Sequence, residues 1–391
     1  MNKKRIISIL LILCLLATLC ACGRKKKEET GLLKIGVLEP LTGKYGAEGM
    51  RETLGIQYAN NVAPTVKLGG KTYRVELTIR DNASDAARAA EAAQELVDAG
   101  CAVVLGSYGD ELSAAASDVF RAAGVAAVAA TCGDASLTRG NDHYFRIGAL
   151  PEQQGAALAA FAQKTLGVKS AYCLVESGNA ADAALARAFR TAADALGLTV
   201  VAAEFPPNSL DFTAYLNAAK EEGNGVIFAP CELRYAQRLV EQAAGLEGVA
   251  PFLADARWRD PSILAALQET ELSVYVSAAY AEGADSAFDA GFKEWMTESV
   301  DALSYNGGSD AVTAESVLGY DAYFTVLGAA GMADSADKAD ILAILPRAGR
   351  EGSAGSFTFD EDGGAVRNVL WVEKANQKTP GWELVTSAKL R

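Results

Sequence analysis

The sequence predicts an α/β protein built from parallel sheets with helices on both faces. Short apolar runs alternate with longer alanine-rich stretches of helical period along most of the chain, an order that is typical of parallel sheets. The chain has 391 residues, of which 50% are hydrophobic. That length and composition suffice for two hydrophobic cores, so we expect two domains rather than one.

The strand candidates are the apolar runs between the helical stretches. They occupy residues 34–38, 73–80, 102–105, 125–129, 171–175, 198–204, 226–229 and 274–279. Residues 85–99 are the clearest helix, because Ser84 or Asp85 can cap its start and Gly100 ends it. Near the C-terminus, residues 357–372 are predicted to form a hairpin with its turn at Asp362 and Gly363.

The N-terminus is typical of an export signal. A basic start at Lys3, Lys4 and Arg5 precedes 14 apolar residues, 6–19, fewer than the roughly 20 that span a bilayer. The next residues, 19–23 (LCACG), resemble a bacterial lipobox, which predicts that Cys22 is lipidated. We therefore expect a signal peptide over 1–21, a lipid-anchored tether over 22–31 and a location on the extracytoplasmic face of a bacterial membrane. An ordinary cleaved signal peptide is the alternative.

Charge and residue counts exclude several classes of function. The net charge of −13 disfavours nucleic acid, whose phosphates require a basic face. The single histidine, His143, excludes metal sites that need two. No phosphate-binding loop, nucleophile elbow or Cys-x-x-Cys pair is present. We therefore expect no enzyme, cofactor or metal. Four cysteines remain in the body, as buried thiols or as disulfides: Cys101, Cys132, Cys173 and Cys231.

A series of short motifs runs in order along about 330 residues. These motifs are residues 34–43 (KIGVLEPLTG), 45–46 (YG), 81–84 (DNAS), 104–108 (VLGSY), 144–146 (YFR), 319–322 (GYDA) and 355–360 (GSFTFD). In this order they resemble the leucine/isoleucine/valine-binding proteins, the solute receptors of branched-chain amino acid ABC transporters. The resemblance implies the type I periplasmic binding protein fold: two Rossmann-like, three-layer lobes joined by a three-strand hinge.

The resemblance also implies where the lobes divide. The chain would cross between lobes near residues 149–152, 277–282 and 352–356. The first lobe would then contain 32–149 and 280–353, and the second 150–279 and 354–391. Such a hinge closes when a ligand contacts both lobes.

The resemblance places the candidate ligand-binding residues on loops of both lobes. They are Tyr45, Ser107, Tyr108, Gly109, Asp110, Thr131, Cys132, Gly133, Glu176, Cys231, Asp255 and Arg257. In the family, a serine and a threonine of the first lobe hold the ligand's α-carboxylate, an acidic residue of the second lobe helps to hold its α-ammonium, and an aromatic residue, matched by Tyr45, covers its side chain.

Several of these anchor positions differ here. An ungapped alignment puts Asp110 at the serine and Gly133 at the threonine, although a two-residue slip restores Thr131. Asp110 either repels a ligand carboxylate or caps the helix over residues 111–123. The family's acid falls at Ala256, next to Asp255. Acidic groups predominate, which favours a cationic or neutral polar ligand, unless Arg257 supplies a carboxylate contact.

The resulting functional prediction is a monomeric, lipid-anchored solute-binding protein. It would deliver a small polar ligand, an amino acid or a similar molecule, to an ABC transporter permease. Two alternatives remain open: a sensory module of the same fold that acts on a receptor or regulator, and a receptor for an amide, an amine or a nucleoside.

Overall fold

The structure is a computed structural model and describes residues 31–268, 270–378 and 381–390. Within these ranges the chain forms two α/β lobes with mostly parallel sheets, which confirms the predicted fold class. The predicted signal peptide, the lipidation site Cys22 and the tether up to residue 30 lie outside the described residues. Gly31, expected at the end of the tether, begins the first strand.

The first lobe is built on a six-stranded sheet. Its strands are β1 (Gly31–Glu39), β2 (Thr65–Leu68), β3 (Lys71–Asp81), β4 (Val103–Gly106), β5 (Ala126–Ala129) and β6 (Tyr144–Arg146). They lie in the order β2-β3-β1-β4-β5-β6, and all pairs are parallel except β2 with β3. The helices of this lobe are α1 (Gly46–Val62), α2 (Ala86–Asp98), α3 (Asp110–Ala123), α9 (Ser286–Glu298), α10 (Val300–Tyr305), α11 (Ala314–Ala333) and α12 (Lys338–Ile344).

The central strands of this sheet are apolar throughout because both of their faces are covered. In β4, Val103 and Leu105 enter the core cluster that contains α1 and α11. Val104, which points the other way, packs with Leu96 of α2 and Phe120 of α3. The helices on the two faces therefore come from different parts of the sequence, and residues 286–344 complete the lobe that residues 31–146 begin.

The second lobe is built on a seven-stranded sheet in the order β16-β15-β11-β10-β9-β7-β8. Its strands are β7 (Ser170–Glu176), β8 (Thr199–Phe205), β9 (Val226–Phe228), β10 (Phe252–Ala254), β11 (Val274–Ala278), β15 (Val369–Asn376) and β16 (Gly381–Lys389). Its helices are α4 (Pro151–Lys164), α5 (Ala180–Ala195), α6 (Thr213–Glu221), α7 (Leu233–Ala244) and α8 (Pro261–Ala266). Only β15 and β16 run antiparallel to their neighbours.

The strands β13 (Gly355–Phe359) and β14 (Ala365–Arg367) form a hairpin. In the sequence this hairpin lies after α12 of the first lobe and before β15 of the second. Its turn contains Gly363 at a φ of 76°, close to where the sequence predicted a turn. A two-residue strand, β12 (Glu351–Gly352), precedes it. The predicted hairpin extended to residue 372, but Val369 already begins β15 in the second sheet.

The position of this hairpin corrects one predicted boundary. Ala354, Phe357 and Ala365 lie in the core cluster of the first lobe, whereas the sequence-based division assigned residues 354–391 to the second lobe. The apolar face of the hairpin packs against the first lobe. In this contact the ring centroids of Phe359 and Phe145 lie 5.4 Å apart. The chain therefore crosses for the third time between Arg367 and Val369, not near residues 352–356.

Two glycines allow α1 and α11 to pack backbone against backbone. A Cβ atom at Gly55 would overlap the carbonyl oxygen of Ser316, and one at Gly319 would overlap the carbonyl oxygen of Glu52. Since any larger side chain would force the helices apart, these positions fix how closely α11 covers the first lobe. The same contact holds Glu52 inside the lobe.

The described residues contain neither a helix long and apolar enough to cross a bilayer nor a cluster of three metal-ligating side chains. The four body cysteines are free and buried, so the disulfide alternative is wrong for this structure.

Candidate ligand-binding site

The candidate residues lie on loops at the carboxyl ends of the parallel strands. In the first lobe these loops follow β1, β4 and β5, and in the second lobe they follow β7, β9 and β10. Open α/β sheets bind ligands at this edge because loops and helix starts converge there. The structure therefore brings the twelve candidates to two sets of loops, although it places several of their side chains behind the loop surface.

Tyr45 and Tyr108 form an aromatic pair at the first lobe's edge. Their ring centroids are 6.0 Å apart at an interplanar angle of 48°, and both residues are half-buried. The Lys44 Nζ atom lies 4.7 Å from the Tyr45 ring centroid and donates a 3.0 Å hydrogen bond to the Tyr45 hydroxyl. Burial, followed by the nearby charges of Glu315, Glu48 and Glu52, raises the pKa of Tyr108.

Asp110 does not cap its own helix, which corrects the capping hypothesis. Gly109, at a φ of 88°, occupies the N-cap of α3, and Asp110 is the first helical residue. Its Oδ1 atom instead accepts hydrogen bonds from the backbone N–H groups of Gly133 at 3.1 Å and Asp134 at 3.0 Å. A carboxylate of the protein thus occupies two adjacent donors of the loop that follows β5.

Ser107 and Cys132 lie behind this surface, where they hold the two loops together. The Ser107 hydroxyl accepts a hydrogen bond from Asn82 Nδ2 at 2.8 Å. The Cys132 thiol lies 3.1 Å from the Ser113 hydroxyl. Ser107 is fully buried and Cys132 almost so, and burial raises the pKa of the Cys132 thiol. Neither side chain is open to a solute in this conformation.

Glu39 and Glu52 form a buried pair of carboxyl groups, next to Thr131, that the sequence did not predict. The Thr131 hydroxyl donates to Glu52 Oε2 at 2.9 Å, and the Tyr108 backbone N–H donates to Glu39 Oε2 at 2.7 Å. Glu39 and Glu52 are fully buried. The two carboxyl groups hydrogen-bond to each other, and their Oε1 atoms have no other donor among the described residues. The signals were an acid that ends the apolar run of β1 and an acid on the buried face of α1.

Burial dominates the protonation of this carboxyl pair. It raises the pKa of Glu52 to about 7. Burial and the neighbouring Glu52 together raise the pKa of Glu39 well above its ordinary value. Two carboxylates this close cannot both ionise cheaply, so the pair holds a proton near neutral pH.

In the second lobe, Arg257 is bound by two acids of its own lobe. Its Nε and Nη2 atoms donate to the two oxygens of Asp255 at 2.8 and 2.7 Å. Its Nη1 atom lies 2.9 Å from Oδ1 of Asp182, which is fully buried. Burial raises the pKa of Asp182 to about 6 although Arg257 opposes it. The guanidinium proposed for a ligand carboxylate is therefore already committed to protein carboxylates.

The remaining candidates of the second lobe are mostly buried. Glu176 Oε1 accepts a 2.6 Å hydrogen bond from the Tyr235 hydroxyl, and Glu176 Oε2 accepts one from Asn179 at 3.3 Å. Cys231 is fully buried, and its carbonyl accepts a 3.2 Å hydrogen bond from Trp258 Nε1. Both residues shape the loops on which they lie.

Known proteins match this chain over most of its length. Residues 33–379 match the sequence model of a family described as periplasmic binding protein. The Leu/Ile/Val-binding protein homolog 3 of Brucella melitensis biotype 1 is 31% identical over 199 residues, 50% of this chain and 53% of that protein. This alignment thus spans about half the length of the curated relative.

Solved structures resemble the whole fold. The leucine-binding protein LivK of Thermotoga maritima is 25% identical with a TM-score of 0.74, over 91% of this chain and 99% of its own. LivJ of Streptococcus pneumoniae, in complex with isoleucine, is 24% identical with a TM-score of 0.71, over 90% and 99%. A solute-binding protein of Rhodopseudomonas palustris, in complex with 4-hydroxybenzoate, is 20% identical with a TM-score of 0.72, over 92% and 97%. The last two show the fold alone.

Proposed function

This chain belongs to the periplasmic binding protein family, and on that premise we propose that it is an extracytoplasmic receptor for a small polar solute, which it delivers to an ABC transporter permease. The proposed ligand is an amino acid or a molecule of similar size and polarity. The proposed action is binding and release, without turnover.

The observation that carries this proposal is a pair of loop sets, one on each lobe, that hold the candidate residues. Each set lies at the carboxyl edge of a parallel sheet, where such sheets bind ligands. The hydrogen bond from Lys44 to Tyr45 raises the pKa of Lys44, and the negative charge of Glu232 in the second lobe raises it further. Lys44 of the first lobe and Glu232 of the second therefore lie within electrostatic range of each other. Loops that face each other across a hinge suit capture of a solute by closure.

Binding and closure are tested on the full-length chain purified in detergent. We expect that one member of a panel of amino acids, amides, amines and nucleosides raises the melting temperature. A ligand at about 100 times its Kd adds about 2.7 kcal/mol, enough for a shift of a few degrees. We also expect small-angle scattering to show a smaller radius of gyration with that ligand. Absence of both effects across the panel would contradict the proposal.

Membrane attachment through Cys22 is a separate part of the proposal. The support is the order of a basic start, a 14-residue apolar segment and the sequence LCACG over residues 19–23. After cloud-point extraction of cells that express the chain, we expect the protein in the detergent-rich phase. The Cys22→Ser variant should partition into the aqueous phase. Cys20→Ser is the matched control. Equal partitioning of Cys22→Ser and the parent chain would exclude Cys22 as the anchor.

A further inference from the structure

We infer that the solute is an organic cation, an ammonium or guanidinium compound, that carries no carboxylate. This inference rests on the proposed function and names the ligand class of the same site. It follows from what the loops offer: four of their hydrogen-bond donors are already bound to carboxylates of the protein, whereas the Glu48 carboxylate and the Tyr108 ring remain.

The first step concerns the donors of the loops that follow β4 and β5. The N–H groups of Gly133 and Asp134 donate to Asp110, and the N–H of Tyr108 donates to Glu39. The Thr131 hydroxyl donates to Glu52. Each of these four donors therefore has an acidic acceptor from the chain itself. A solute carboxylate would have to displace one of these carboxylates and approach the others, against like-charge repulsion.

The second step concerns Asp110, which fills an anion site that the fold otherwise provides. Two adjacent N–H groups form a concave donor pair of the kind that binds carboxylates and phosphates. The buried guanidinium of Arg146, at the end of β6, lies close enough for the charges of Asp110 and Asp134 to act on it, and its Nε and Nη1 atoms have no hydrogen-bond partner among the described residues. Burial lowers the pKa of Arg146, while the charges of Asp360 and Asp110 raise it. Asp110 thus supplies the negative charge that a ligand carboxylate would otherwise bring.

The third step concerns the acceptors that remain. Glu39 and Glu52 are fully buried and hydrogen-bond to each other, so they lie behind the surface; among the described residues, Oε2 of Glu48 has no hydrogen-bond donor. Glu48, Glu52 and Glu315 lie close enough to Tyr108 for their charges to act on its hydroxyl. A buried acceptor without a donor is costly, so a solute N–H group that reaches Glu48 would stabilise this site.

The fourth step concerns the aromatic pair. Tyr45 and Tyr108 present tilted rings beside these carboxylates. The Lys44 ammonium lies over the Tyr45 ring, so a solute cation either displaces that flexible side chain or uses the Tyr108 ring. Aromatic faces combined with carboxylates are a recurring way to bind an organic ammonium. In the second lobe, Arg257 is held by Asp255 and Asp182, so it does not restore a carboxylate site.

The test compares three molecules of one shape. Leucine carries an ammonium and a carboxylate, leucinamide replaces the carboxylate with an amide, and isoamylamine lacks that group. Calorimetry on the full-length chain in detergent should show at least about tenfold tighter binding of leucinamide or isoamylamine than of leucine. Agmatine and putrescine extend the cation series, and 4-hydroxybenzoate serves as a carboxylate without an ammonium.

Asp110→Ser tests the mechanism, because it frees the N–H groups of Gly133 and Asp134. We expect this variant to bind leucine at least about tenfold more tightly than the parent chain does. The matched control is Glu111→Gln, which removes one negative charge from the next, exposed residue of the same helical turn. Glu111→Gln should leave the preference for the cations unchanged. If both variants improve leucine binding equally, net charge rather than the occupied anion site sets the preference, and the inference is overturned.

Two outcomes separate this inference from the proposed function. Tighter binding of leucine or 4-hydroxybenzoate than of every cation, with closure in scattering, would overturn the cation inference and leave the receptor function intact. No binding and no closure with any member of the panel would overturn both. If Asp110→Ser does not fold, Asp110→Asn, which keeps the side-chain shape and an acceptor oxygen, replaces it and should relieve repulsion of leucine in the same direction.

Discussion

The Nη1 atom of Arg257 lies 2.9 Å from Oδ1 of Asp182, a carboxylate with no exposed side-chain surface. Arg257 follows β10 and Asp182 lies in the first turn of α5, so this ion pair joins the segment after β10 to the start of α5. Asp255 holds the same guanidinium through both of its oxygens. The group is therefore one positive charge shared by two acids, only one of which it can fully neutralise.

Removal of this shared charge should destabilise the second lobe. We expect Arg257→Met to lower the free energy of unfolding by about 3 kcal/mol, because it leaves Asp182 and Asp255 without their cation. Urea unfolding at pH 7.5 measures the change. Arg238→Met is the matched control: its ion pair with Glu241 is half-exposed, and such pairs contribute about 0–1 kcal/mol. Equal losses in the two variants would show that Asp182 does not depend on Arg257.

The carboxyl pair of Glu39 and Glu52 should make stability depend on pH. Burial raises the pKa of Glu52 to about 7, above its value of 4.5 in the unfolded chain. The folded state thus binds more protons between pH 4.5 and 7, and this contribution to stability is lost as pH rises through that window. Glu52→Gln can keep the bond from Thr131 and donate to Glu39, so it should gain on the order of 1–3 kcal/mol relative to the parent at pH 8 and little at pH 4.5.

Melting curves of Glu52→Gln and the parent chain at several pH values measure this difference. Glu298→Gln, an exposed position in α9, is the control and should follow the parent throughout. Parallel curves for Glu52→Gln and the parent would mean that Glu52 is ionised in the folded protein across this range.

The close approach of α1 and α11 predicts opposite results for two glycines. Gly55→Ala should destabilise the first lobe by about 2 kcal/mol or more, because its Cβ meets the backbone of Ser316 and the helices must separate. Gly328→Ala, also within a helix of this lobe, has open space around its Cβ and should gain up to about 1 kcal/mol. Chemical denaturation compares them. A gain in both would show that α1 and α11 shift apart without cost.

Tyr45 should contribute to binding without contributing to folding. Its ring is half-buried and meets Tyr108 at the loop edge. We expect Tyr45→Ala to weaken binding of the preferred ligand by about tenfold, the usual scale of an aromatic contact, and to leave the melting temperature nearly unchanged. Calorimetry and thermal melts measure the two effects. Tyr305→Ala, at an exposed position of α10, is the control. Unchanged affinity in Tyr45→Ala would make Tyr45 a structural residue only.

The order of strands and helices was accessible from the sequence because buried parallel strands leave continuous apolar runs. Each of the eight predicted runs overlaps a strand of the structure. The third crossing between lobes was not accessible. Phe357 and Ala365 belong to an ordinary hairpin pattern, and nothing local shows which of two cores receives its apolar face.

The candidate site was predicted at the level of loops but not at the level of contacts. The motifs predicted that Tyr45, Tyr108 and Asp110 follow strand ends, and the structure has them there; their part in binding stays a prediction. Asp110 is free to accept hydrogen bonds from the N–H groups of Gly133 and Asp134 because Gly109, at a positive φ, occupies the N-cap in its place. Glu39 and Glu52 were missed because an acid beside an apolar run is usually solvated, and only the packing of α1 against α11 encloses them.

The interleaved course of the chain determines when each lobe can be finished. Residues 286–344 supply helices to the first lobe, and β15 and β16 supply two of the seven strands of the second. A ribosome therefore releases nearly the whole polypeptide before either lobe has all of its parts. A premature stop codon shortly before residue 369 would yield a second sheet with β11 as an unpaired edge, a state prone to aggregation. For the exported protein that we propose, this late completion favours threading through a translocation pore while the polypeptide is still unfolded.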